Sequence, residues 1–232
     1  MLTPMDLKKR LDNVKDRINK TALKCGRDPE SIHLVAVSKT IPANRVREAI
    51  MAGVTTLGEN YVQEARNKFN VLGTFPVSWH FIGHLQSNKA KYAVRLFDLI
   101  HSVDSLKLAR ELNQQAKKVN KIQDVLIQIN ISKEPSKSGS DIENAANLIK
   151  DIVLFENLTV KGFMAMPPFF NNPEKTRPYF TALRNLRDQI QKDFPEVDLN
   201  ELSMGMTGDF EVAIEEGATF VRIGTAIFGE RR

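Results

Sequence analysis

Lys39 lies near the far end of a stretch, residues 32–40, that reads IHLVAVSKT. The run Leu34-Val35-Ala36-Val37 is apolar, and Pro42 stops it abruptly, so it reads as a short strand buried on both faces. A lysine at the C-terminal end of such a strand sits at the rim of an apolar core, where desolvation disfavours the ammonium form. A free lysine has a pKa of ~10.4. Lowering it makes the amine a nucleophile towards aldehydes. Taken alone, Lys39 also fits a second reading, with its stem packed and its head in water. Two later phrases, SMGMTGD at 203–209 and VRIGTAIFG at 221–229, gather glycines and small hydroxyls. Backbone N–H groups in such loops make anion-binding cups. Ordinary turn geometry is the alternative for Gly205 and Gly208. His80 and His84 have i, i+4 spacing but straddle a strand and a loop, so no helical face presents both to a metal. P-loop, zincin and nucleophile-elbow motifs do not occur.

The elements around these residues alternate. An amphipathic helix over 3–24 carries Leu7, Leu11, Val14, Ile18 and Leu23, with Thr3 and Pro4 at its start and Gly26 at its end. The Lys39 strand follows, and then strands are expected at 55–58, 78–82, 98–102, 125–131, 158–164, 201–204 and 220–223. Helices are expected between them at 43–52, 61–72, 87–95, 105–119, 141–153, 176–193 and 209–216, with Asp104 capping the fourth of these. A polar loop spans 132–140. Strict alternation implies parallel strands with crossover helices, and eight repeats imply a closed (β/α)8 TIM barrel with an extra N-terminal helix. An open doubly wound sheet is the alternative. No G-x-G-x-x-G follows the first strand, which counts against its dinucleotide-binding form. The expectation is one domain over 1–232, with 1–26 packed on the barrel. Active sites of such barrels lie at the strand C-termini. Those ends carry Lys39, Glu59-Asn60, Gly83-His84, His101-Ser102, Asn130, Met164, Ser203-Met204-Gly205 and Gly224-Thr225. Alternation on the last strand puts Phe220, Arg222 and Gly224 on one face, so Arg222 points into the barrel. There it needs either a carboxylate such as Glu59 or Glu201, or a ligand.

The chain has 232 residues, 42% of them hydrophobic, enough to bury a sizeable core. One cysteine, Cys25, excludes an internal disulfide and a cysteine-based zinc site. A net charge of +5 is spread among acids rather than gathered into a stripe, so nucleic acid is not an expected partner. No apolar run reaches membrane-span length, and the first residues lack a signal core, so the expectations are no membrane and a cytoplasmic location.

Six ordered phrases, AVSKT, LGENYVQE, WHFIGHLQSNK, INISKEPSKSG, SMGMTGDFEVAI and VRIGTAIFGER, resemble the pyridoxal phosphate homeostasis protein family, also called proline synthase co-transcribed-like proteins. The resemblance covers residues 32–230 and implies the barrel type of the alanine racemase N-terminal domain. It implies that pyridoxal 5′-phosphate (PLP) is held as a lysine aldimine on Lys39. Phosphate contacts would fall on Ser203, Gly205, Thr207, Gly224 and Thr225, and the partner of the pyridine nitrogen would be Arg222. Asn60 and His84 match positions around the ring. Thr207 stands where the family often has a second serine, and the hydroxyl is kept. The implied role is intracellular PLP (vitamin B6) homeostasis and amino-acid and keto-acid balance rather than catalysis. A PLP-dependent racemase-like enzyme is the alternative. The sequence reaches Arg232 soon after the last expected strand, so the expectation is a barrel without the second domain that racemases of this type use. The expected species is a monomer, with PLP-dependent apoenzymes as acceptors of the cofactor.

Overall fold

The computed structural model describes residues 4–134 and 138–230. Thr3 and the Ser136-Lys137 part of the polar loop lie outside them. Eight parallel strands close a barrel in sequence order. They are β1 (His33–Val37), β2 (Thr56–Glu59), β3 (Ser78–Phe81), β4 (Leu99–Val103), β5 (Gln123–Ile129), β6 (Leu158–Ala165), β7 (Glu201–Met206) and β8 (Phe220–Ile223). The helices are α1 (Pro4–Lys24), α2 (Ala43–Met51), α3 (Val62–Leu72), α4 (Ala90–Leu96), α5 (Leu106–Lys117), α6 (Ala145–Ile152), α7 (Arg177–Asp193), α8 (Phe210–Glu215) and α9 (Thr225–Phe228). The TIM-barrel expectation and the extra helix are both met.

Local differences have local causes. The first strand stops at Val37, and Ser38 and Lys39 lie in the loop that follows. The helices expected from 87 and 141 each open with a 3₁₀ turn, Ser87–Lys89 and Ile142–Asn144. Asp104 does not cap α5. Ser105 does, accepting the Leu108 N–H at 3.4 Å. Leu23 is exposed, because the i+4 step from Ile18 falls on Ala22, which is fully buried.

Side-chain alternation sorts each strand into two faces. Outward residues such as Leu57, Phe81, Ile100, Ile127, Val221 and Ile223 join the helices in the main core. The interior holds a smaller apolar cluster of Val35, Leu99, Leu126, Met164 and Phe220. Closure occurs at the β1–β8 seam, where Val35 pairs with Arg222 and Ala36 with Ile223. Helix α1 lies across this side, with Leu7, Leu11, Val14 and Ile18 buried. Arg17 grips Glu211 of α8 through two hydrogen bonds of 2.9 and 2.8 Å. Arg27 donates to the Ile214 and Ala218 carbonyls, each at 2.8 Å.

Candidate functional site

The upper mouth of the barrel collects the strand C-termini. At the seam, β8 brings Arg222 into the interior, where it is 3% exposed. Its Nη1 donates to Ser203 Oγ at 2.6 Å and its Nη2 to the Ala165 carbonyl at 2.9 Å. Neither Glu59 nor Glu201 reaches it. Glu59 points outward to Lys68, and Glu201 accepts from the Thr219 hydroxyl. Among the described residues no carboxylate pairs with Arg222. Burial lowers its pKa to about 10, with Asp209 acting the other way, so the guanidinium stays charged at neutral pH. A buried cation whose bonds are all to neutral oxygens retains donor capacity and unspent charge.

Above Arg222 lie two loops. The β7–α8 loop turns on Gly205, with φ of +88°. A Cβ there would lie 2.5 Å from Ala213 Cβ. The loop is closed by the Met206 N–H donating to Asp209 Oδ1 at 2.7 Å. The β8–α9 junction places Gly224 beside Val37 of β1. The two loops meet where Thr225 Oγ1 donates to Thr207 Oγ1 at 3.2 Å, both hydroxyls being accessible. This is a small cup of backbone and hydroxyl groups above a fixed positive charge, suited to an anion.

Lys39 is half-buried and immediately follows buried Ser38. Ser38 is tied down from outside the barrel. Its Oγ donates to Glu59 Oε1 at 2.5 Å, and its carbonyl accepts from Lys68 Nζ, also at 2.5 Å. Lys68, on α3, bonds Glu59 Oε1 and Glu64 Oε1, each at 2.7 Å. Burial raises the Glu59 pKa, and the Lys68 ammonium opposes this. Thr40 has φ of +64°, and its N–H donates to Glu64 at 2.6 Å. The loop carrying Lys39 is thus clamped at both flanking residues.

A cavity of about 360 Å³ opens at this mouth, lined by His84, Gln128, Asn130, Ser138, Met166 and Met206. A second, of about 380 Å³, lies at the opposite end of the barrel, with His33, His80, Asp98 and Glu201 among its walls. The upper one adjoins the loops just described.

The chain matches the family model described as alanine racemase, N-terminal domain, over residues 10–232. It is 46% identical to the pyridoxal phosphate homeostasis protein of Aquifex aeolicus, over 98% of this chain and 100% of that protein. It is 43% identical to the protein of the same name in Escherichia coli strain K12, over 97% of each. The chain belongs to the pyridoxal phosphate homeostasis protein family. Its structure is similar to that of PipY from Synechococcus elongatus with PLP bound, at a TM-score of 0.85 and 35% identity, covering 96% of this chain and 100% of that one. An alanine racemase of Clostridium difficile shares the fold at 14% identity and a TM-score of 0.77, over 97% of this chain and 56% of that one.

Within the family fold, the residues named from sequence separate into three places. Gly205, Thr207, Gly224 and Thr225 form the cup, with Arg222 below it. Lys39 and Asn60 follow the neighbouring strands β1 and β2, and the Asn60 Oδ1 is buried without a hydrogen-bond partner among the described residues. His84 lines the upper cavity, largely exposed, with Nδ1 3.3 Å from Ser138 Oγ and 3.7 Å from Asp104. Ser203 is a correction. Its hydroxyl does not reach the cup. It is fully buried in the interior, because β7 alternation gives it the same inward face as Arg222 on β8. Sequence reasoning missed Ser38, Glu59 and Lys68 as a clamp. The available signal was Lys68 itself, on the same stripe of α3 as Val62, Ala65 and Leu72.

Proposed function

We propose that this chain binds PLP at the upper mouth of the barrel and serves intracellular PLP balance by holding the cofactor rather than turning over a substrate. Family membership and the PLP-bound relative support the ligand class. The observation that carries the placement is Arg222, a buried cation with no carboxylate bonded to it among the described residues, lying under a cup of two hydroxyls and two glycines. In this reading Thr207, Thr225 and the backbone at Gly205 and Gly224 hold the phosphate. Arg222 donates to the ring nitrogen, and Asn60 and His84 flank the ring. Lys39 is the amine at this mouth that would hold PLP through its aldehyde group.

PLP serves enzymes as an electron sink when its ring nitrogen is protonated. Arginine can only donate. Arg222 would therefore keep that nitrogen bare and weaken the sink, which suits retention of the cofactor better than transamination. Purified protein reconstituted with PLP should give a borohydride-stable adduct on Lys39, and Lys39→Ala should lose it. An adduct on another lysine in wild type and variant alike refutes the placement. Lys39-dependent conversion of alanine at about 1 per second or faster refutes the holding role.

A further inference from the structure

Hydrogen bonds continue from Arg222 into the barrel. Beyond Ser203, the Ser203 Oγ lies 2.8 Å from His101 Nδ1, and His101 Nε2 lies 3.0 Å from His80 Nδ1. All four side chains are buried. Phe220 packs edge-on against both imidazoles, at centroid distances of 5.4 Å.

Chemistry fixes the direction of the protons. A guanidinium only donates, so Ser203 Oγ accepts from Arg222. Ser203 has one proton and these two partners. Giving that proton to His101 Nδ1 satisfies every group, whereas accepting from both sides strands a buried hydroxyl proton. Burial, with His80 and Arg222 nearby, keeps the His101 ring neutral, so its single proton is on Nε2 and goes to His80 Nδ1. His80, also neutral through burial, then carries its own proton on Nε2, and its ring lines the lower cavity.

We propose that His101 and His80 are positioning residues for Arg222, which orient its guanidinium through Ser203 by a one-way relay of hydrogen bonds. The bearing of this relay on PLP rests on the proposed function, while the relay itself does not. Its parts are neutral. A carboxylate in the place of Ser203 would orient Arg222 but also neutralise it. A serine backed by two imidazoles orients it and leaves the positive charge for the ring nitrogen.

The chain has four histidines, His33, His80, His84 and His101, so histidine-labelled protein is assignable by single substitutions. Long-range proton–nitrogen NMR of the unliganded protein near neutral pH is expected to show a bare Nδ1 and a protonated Nε2 on both His101 and His80. Ser203→Ala should release this preference at His101. It should also weaken PLP binding roughly tenfold and shift the absorption maximum of the bound cofactor. His101→Leu cuts the same link and serves if Ser203→Ala does not fold. His101→Gln, able to accept from Ser203 and donate to His80, should recover most of the loss seen in His101→Leu. A protonated Nδ1 on wild-type His101 overturns the relay. The expected tautomers with unchanged PLP affinity and spectrum in the variants overturn the positioning role. If wild type takes up no PLP, the positioning role falls with the proposed function, and the tautomers alone decide the relay.

Discussion

Gly205 shows how narrowly the cup is built. Its φ of +88° lies where an L side chain is strained, and a Cβ would approach Ala213 Cβ to 2.5 Å and Phe210 Cα to 3.0 Å. Gly205→Ala should cost about 1–3 kcal/mol from the backbone alone, with the clash added. Because α8 is pushed away from β7, PLP affinity should fall more than stability. Urea unfolding beside a PLP titration checks this, and equal affinity in a destabilised variant would place the cup elsewhere. Gly224 presents a contrast. Its φ is −113° and an added Cβ would meet Val37 at an ordinary 3.5 Å. Its glycine answers to no backbone strain. At this scale the sequence was partly readable. Strand alternation placed Arg222 inward, and the same rule applied to Ser203 would have moved it out of the cup. The phrase SMGMTGD hid this by listing strand and loop residues as if they shared one role.

Among the elements, α3 carries the least expected burden. It spends a position on its buried stripe on Lys68, whose ammonium gathers Glu59, Glu64 and the Ser38 carbonyl. Glu59 is fully buried and its Oε2 has no hydrogen-bond partner among the described residues, so the cluster already carries one unsatisfied acceptor. Lys68→Met should destabilise by roughly 3–5 kcal/mol, because it leaves Glu59 as an uncompensated buried charge. Lys68→Met combined with Glu59→Leu should recover much of that loss. Urea midpoints at constant slope measure both. A double variant no better than the single would mean that the ion pair is not what holds this layer. The clamp was not legible because its members are remote in sequence. Ser38 and Lys68 are 30 residues apart, and nothing in either phrase points to the other. Helix periodicity was legible, and its one slip, Leu23, came from accepting a five-residue step.

Taken whole, the barrel buries ionisable groups that give its stability a pH signature. His80 is held at about 4 against an ordinary 6.5, and His101 lies well below the same reference. Below pH ~6.5 the unfolded chain takes up protons that the folded interior refuses. Stability from these rings is therefore complete above that value and is lost as pH falls towards 4, at up to ~1.4 kcal/mol per pH unit for each ring. Glu59 and Asp209, raised by burial, act in the opposite sense in the acidic range. There the folded state holds protons that the unfolded chain has released, so their share falls as pH rises. A variant with His80→Gln and His101→Gln should accordingly show a flatter dependence of its urea midpoint between pH 6.5 and 4 than wild type. Equal slopes would remove the histidines from the account. The fold was readable because eight alternating repeats admit few topologies. The charged interior was not, since burial of a histidine depends on neighbours from four strands.

The seam between β1 and β8, bridged by α1, also dictates an order of assembly. Arg17 and Glu211 stand 194 residues apart in sequence, and Arg27 lies 187 from Ile214. During translation, the edge of β1 that faces β8, with the backbone groups of residues 33–36, finds its partner only when residues 220–223 have emerged from the ribosome. Until then the nascent chain carries an open sheet edge and an amphipathic helix whose apolar side lacks the cover of α8 and α9, the pair of features that chaperones and like strands engage. The contacts that close the cylinder need both ends of the barrel sequence, and they sit beside Lys39 and Gly224. The proposed PLP site is therefore complete only once the barrel is closed.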